Sequence, residues 1–145
     1  MTARDPIPTR RAPVGMRLPV PAFIRVWGAV LGLLSAALGL VLLTAPVPNR
    51  PLALESRSVV ALIELPLGLA MIGAGGWVVV ATPVGQATAS AHAVTGVVHL
   101  AHVFALAATF VIAYPWQPIP PIVTASFAVI AHGGACLDYW QRGWR

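Results

Sequence analysis

The chain has 145 residues, of which 58% are hydrophobic and only 9% charged, and its formal net charge is +5. Mean hydropathy is +0.82; soluble domains carry about one quarter charged residues, so this composition leaves too little polar surface for a water-soluble globule. The nine basic residues are all arginine and flank the apolar stretches, which points to membrane orientation and anionic headgroups rather than to nucleic acid.

Residues 1–22 carry Arg4, Arg10, Arg11 and Arg17 among Pro6, Pro8, Pro13, Pro19 and Pro21. That mixture predicts a disordered cytoplasmic tail. Arg10-Arg11 resembles a twin-arginine signal. The apolar stretch behind it is of full spanning length and ends in no small-x-small cleavage site, so it reads as an uncleaved first span.

Four membrane spans are predicted, at about 23–43, 58–81, 89–113 and 121–139, each long enough for the roughly 20 residues that a bilayer crossing takes. Helices are the only open option, because unpaired sheet edges would strand backbone polar groups in lipid. The expected fold is all-α: an integral membrane four-helix bundle over residues 23–145 behind the tail. With the N-terminus inside, seven arginines (4, 10, 11, 17, 25, 142 and 145) fall on the cytoplasmic side and two (50 and 57) outside. That asymmetry predicts both termini in the cytoplasm and a multi-pass protein of a bacterial inner membrane. Trp27, Trp77, Tyr139 and Trp140 then lie near the inner interface, and Tyr114 and Trp116 near the outer one.

Each span repeats small or polar residues at steps of three and four. Span 1 has Gly28, Gly32, Ser35 and Gly39; span 2 has Glu64, Gly68, Met71 and Gly75; span 4 has Ala125, Ala128, His132, Ala135 and Tyr139. Such seams let membrane helices approach closely at crossings near +20°. Gly28, Gly32, Gly39, Gly68 and Gly75 are therefore the expected packing interface, and the Gly28/Gly32/Gly39 face or the Trp-rich C-terminus is the expected meeting place for other membrane subunits. Pro66, two residues after Glu64, predicts a kink.

The third span concentrates the chemistry. Thr88, His92, Thr95, His99, His102, Leu106 and Thr109 form one stripe in a segment otherwise made of Ala, Val, Leu, Phe and Gly. A stripe of that kind must face other helices, water or a cofactor. At 1.5 Å per residue, His99 and His132 share a depth roughly 3–4 Å to the cytoplasmic side of the midplane, and Glu64 lies roughly 8 Å to the outer side. The intramembrane polar network expected from this is Glu64, Thr95, His99, His102, Thr109 and His132.

Three readings of that network stand side by side. In the first it is a packing device, worth about 0.6 kcal/mol per hydrogen bond on average. In the second, Glu64 and the His92/His99/His102 stripe handle protons in a proton-coupled transport component. In the third, His99 and His132 hold a b-type haem in a membrane anchor, or His99, His102 and His132 contribute to a metal site. The single cysteine, Cys136, excludes an intrachain disulfide. Neither GxSxG nor HExxH occurs, and no catalytic residue is expected. Surplus packing surface without catalytic motifs makes a non-catalytic accessory or assembly subunit of a larger membrane complex, a transporter or respiratory assembly, the leading expectation.

Overall fold

The computed structural model describes residues 17–44, 54–85, 87–113 and 120–145, and of these it places the side chains except at 54–62, 109–113 and 120–121. The chain is all-helical there, with α1 at Ala22–Thr44, α2 at Leu54–Val84, α3 at Thr88–Ala113 and α4 at Pro120–Gln141. Each contains an apolar stretch of 20 to 23 residues, long enough to cross a membrane.

Helix α2 starts four residues earlier than the hydropathy pattern places it. Leu54-Glu-Ser-Arg-Ser is too polar for hydrocarbon yet contains good helix formers, so the helix outruns the span. It also runs through Pro66 and Pro83; the ring nitrogen of Pro66 leaves the carbonyl of residue 62 without its helical donor. At the other helix ends, local chemistry sets the stop. Pro21 O accepts from the backbone N–H of Ile24 at 3.0 Å and of Arg25 at 3.2 Å, using orphan donors of the first turn of α1. α4 closes in a Schellman motif: Gly143 has φ +80°, its N–H donates to Trp140 O at 3.1 Å, and Trp144 N–H donates to Tyr139 O at 2.9 Å. The contact that accompanies such a motif is present too, with the Tyr139 and Trp144 rings 5.8 Å apart.

The packing is inside-out relative to a soluble bundle. Leu33, Leu34, Val80, Val97, Phe104, Phe127 and Ile130 point outward, while Ser35, Thr82, Thr88, His92, Thr95, His99, His102 and His132 are buried. Consecutive helices pack antiparallel, and α4 closes the ring against α1. On α1 and α2 the glycines meet backbone to backbone. A methyl group added at Gly32 would lie 2.8 Å from Gly75 O, and one at Gly39 would lie 2.5 Å from Gly68 O. This glycine seam is therefore internal. On the face expected to receive another subunit, Gly32 and Gly39 are filled by α2, because only glycine permits the backbone approach seen there, and Gly28 meets side chains of the bundle interior.

At one end of the bundle residues 17–19, the α2–α3 turn and the C-terminal segment are tied together. Leu18 N–H donates to Arg142 O at 2.9 Å, Ala87 N–H to Arg145 O at 2.9 Å and Ala89 N–H to Trp144 O at 2.9 Å. Trp144 Nε1–H donates to Leu18 O at 3.0 Å, and the Arg17 guanidinium to Gly85 O at 3.1 Å. Residues 17–21 thus belong to this clasp rather than to the expected disordered tail; the backbone groups of Leu18 and Pro19 find partners on the C-terminal segment, and the Arg17 side chain finds one on the α2–α3 turn. Residues 1–16 of that tail, with Tyr114 and Trp116, lie outside the described residues.

Candidate functional site

The steps of three and four along α3 bring Thr88, His92, Thr95, His99 and His102 to the bundle interior, all buried. The other helices send side chains to the same axis. α4 contributes His132 and Tyr139, two turns apart; α1 contributes Ser35 and the open face of Gly28, also two turns apart; α2 contributes Thr82.

Three of the histidines form one continuous chain with Ser35. His92 Nδ1 lies 2.9 Å from His132 Nδ1. His132 Nε2 lies 3.0 Å from Ser35 Oγ, and His99 Nε2 lies 2.8 Å from the same oxygen. Ser35 Oγ also stands 3.0 Å from Leu31 O. The rings follow one another along this path: His99 stacks on His132 at 5.5 Å and 19°, His132 is tilted against His92 at 5.1 Å and 42°, and His92 stacks on Tyr139 at 5.4 Å and 11°.

Donor counting makes the chain self-consistent with neutral rings. When the Ser35 hydroxyl donates to Leu31 O, both Nε2–H groups donate to its oxygen. His132 Nδ1 is then an acceptor and takes the proton of His92 Nδ1–H. That leaves His92 Nε2 and His99 Nδ1 as bare acceptors, and both are buried without a hydrogen-bond partner. The bare end at His92 faces other polar atoms. A methyl group added at Gly28 would sit 3.2 Å from His92 Nε2, 3.0 Å from the Tyr139 hydroxyl and 3.6 Å from Thr82 Oγ1. Tyr139 donates to Ile24 O at 3.3 Å, and Thr82 to Val78 O at 2.7 Å.

Only part of the expected network takes part in this chain. Thr95 turns back on its own helix and donates to Ala91 O at 2.8 Å. His102 is buried one turn further along α3, and Glu64 shares a separate small cavity with it. The Thr109 side chain lies outside the described residues. Conversely, Ser35 and Tyr139 are central to the site, although the sequence pattern places Ser35 only in a packing seam and Tyr139 in a seam and at the inner interface. Their signal was positional: each is two turns from another inward-facing residue on its own helix. The structure also removes Tyr139 from the interfacial aromatics, because it is fully buried, whereas Trp27 and Trp140 are exposed.

The pairing of His99 with His132 does not suit a haem in this packing. Both Nε2 atoms converge on one hydroxyl and the rings are nearly parallel at 5.5 Å, which leaves no space for a porphyrin plane between them. Among the described residues no three His, Cys, Asp or Glu side chains converge on a common metal position. What the arrangement offers chemically is a run of imidazole and hydroxyl groups, each able to give and take a proton. No known protein family, curated protein or solved structure matches the chain.

Proposed function

We propose that this chain is a small multi-pass membrane component that relays protons along the buried path His99–Ser35–His132–His92. The observation that carries this reading is the unbroken series of contacts of 2.8 to 3.0 Å with an unpartnered imidazole nitrogen at each end. Passage starts from the alternative neutral tautomers, with the Ser35 hydroxyl turned from Leu31 O to His132 Nε2, His132 protonated on Nδ1 and His92 on Nε2. A proton arriving at His99 Nδ1 then releases the one on Nε2 to Ser35 Oγ. The Ser35 hydroxyl proton passes to His132 Nε2, His132 Nδ1 hands its proton to His92 Nδ1, and the proton on His92 Nε2 leaves toward Tyr139 and Thr82. Each atom ends with its ordinary valence, and the next passage needs only a reset of the tautomers. Ionisable groups buried in membrane helices are costly to keep and are functional candidates for that reason. The arginine asymmetry supports placing the protein in a bacterial inner membrane with the clasp on the cytoplasmic side.

A specific observation also favours service within a larger assembly. Gly73 and Gly76 on α2, and Gly133 and Gly134 on α4, have nothing within 4 Å of where a side chain would begin. Faces of that kind suit a further membrane helix better than the internal seam of α1 does.

The decisive experiment is proton entry into proteoliposomes driven by a potassium diffusion potential. The expected result is flux in the wild-type protein that falls to the level of protein-free vesicles in His132→Leu and Ser35→Ala, with both variants inserting normally. Equal flux in all three, or none in the wild type, overturns the relay and leaves the chain as a packing device.

A further inference from the structure

Glu64 and His102 stand outside the relay path, and together they line a cavity of about 50 Å³ whose other walls are Leu42, Ile63, Leu67, Ala105 and Leu106. His102 is only 7% exposed, and its Nδ1 is sealed from solvent without a hydrogen-bond partner. Glu64 is half-buried and, among the described residues, has no ion pair. An acid and a histidine ring thus line one void in an otherwise apolar wall. Water occupies such a space when it offers about 10–15 Å³ per molecule and two to four polar partners. The cavity exceeds that size, and the two carboxyl oxygens with the imidazole supply the partners.

We propose that this cavity is a hydrated proton site, a small water cluster joining the Glu64 carboxyl group to His102. Its role rests on the relay reading: it feeds the imidazole path from the end of the bundle opposite the clasp. A hydronium ion in the cavity protonates the Glu64 carboxylate and becomes water. The carboxylic acid returns its proton through water to the His102 ring, giving imidazolium and regenerating the carboxylate. His102 stands one helical turn from His99 on the same inward face of α3, where the relay begins.

The test is water-edited solid-state NMR of ¹⁵N-histidine protein in lipid bilayers, with the His102 resonance identified by its disappearance in His102→Asn. The expected result is rapid transfer of magnetisation from water to His102. Ala105→Val, which fills the cavity, should abolish that transfer and leave the His132 signals in place. A dry His102 in the wild-type protein overturns the proposal, and this measurement needs no variant of the cavity to fold. Transfer that persists unchanged in both Ala105→Val and Leu67→Phe overturns it too. The flux assay separates the two readings. A hydrated His102 in a protein that moves no protons keeps the water site and refutes the relay, whereas flux with a dry His102 keeps the relay and refutes the water site.

Discussion

Ser35 does more than its size suggests, because one hydroxyl joins three helices. Its oxygen meets His99 of α3 and His132 of α4 while its proton has Leu31 O within reach on α1. Removing it leaves two buried Nε2–H groups without an acceptor, and unpaired buried donors cost more than made bonds return. Hydrogen bonds between membrane helices average about 0.6 kcal/mol and reach about 1.7, so Ser35→Ala should lower stability by roughly 1–2 kcal/mol. His132→Leu loses contacts on both sides and should cost at least as much. The double variant should cost clearly less than the two losses combined, since each removes the other's partner. Unfolding by SDS titration in mixed micelles measures all three; strict additivity would show that Ser35 and His132 do not interact.

Between helices, the decisive quantity is how closely backbones approach. A methyl group at residue 39 would fall 2.5 Å from Gly68 O and 2.8 Å from Met71 Cβ, and one at residue 32 would fall 2.8 Å from Gly75 O. Neither backbone has room to retreat without opening the seam, so Gly39→Ala and Gly32→Ala should each destabilise by about 1–3 kcal/mol, the usual cost of overpacking. Gly73→Ala and Gly133→Ala meet open space. They should be neutral or stabilising by up to about 1 kcal/mol in the isolated protein, since alanine is the better helix former. The same micelle unfolding series ranks the four, and a reversed order would mean that α1 and α2 do not pack as described. Much of this element level was legible from periodicity. Four apolar blocks became four helices, and the polar stripe of α3 stood out because everything around it was aliphatic. Depth arithmetic set His99 and His132 level, and their rings do stack. What periodicity lacks is the rotation of one helix against another. It marked Ser35 and Glu64 alike as seam residues, yet packing delivered Ser35 to the histidines and left Glu64 at a cavity beside them. Thr95 shows a second limit: a threonine in a membrane helix satisfies itself on the preceding turn, so its place in a stripe does not by itself imply a cross-helix partner.

For the molecule as a whole, sidedness and closure are separate questions. The arginine asymmetry predicts the sidedness. In a Cys136→Ser background, a cysteine at residue 3 should resist a membrane-impermeant maleimide in intact cells, while one at residue 53 should react; the opposite pattern would invert the bundle. Closure depends on residues 142–145, whose backbone and indole groups cap α3, bind Leu18 and cover Tyr139. The Arg142–Asp138 ion pair in the same region is 2.9 Å long but partly exposed. Pairs of that kind contribute about 0–1 kcal/mol, so Asp138→Asn should be nearly silent. Ending the chain at Gln141 removes the acceptors of Leu18, Ala87 and Ala89 together with the Trp144 donor. At about 0.5–1.5 kcal/mol for each bond, the loss should be roughly 2–6 kcal/mol. Hydrogen exchange in nanodiscs locates it: Ala87 and Ala89 amides should exchange much faster in the shortened chain, while amides near His99 keep their protection. Because Tyr139 and the bare nitrogen of His92 lie directly beneath the clasp, the same truncation should open that end of the imidazole path to water. Uniform loss of protection along α3 would instead show that the clasp holds the whole bundle together rather than closing one end of it.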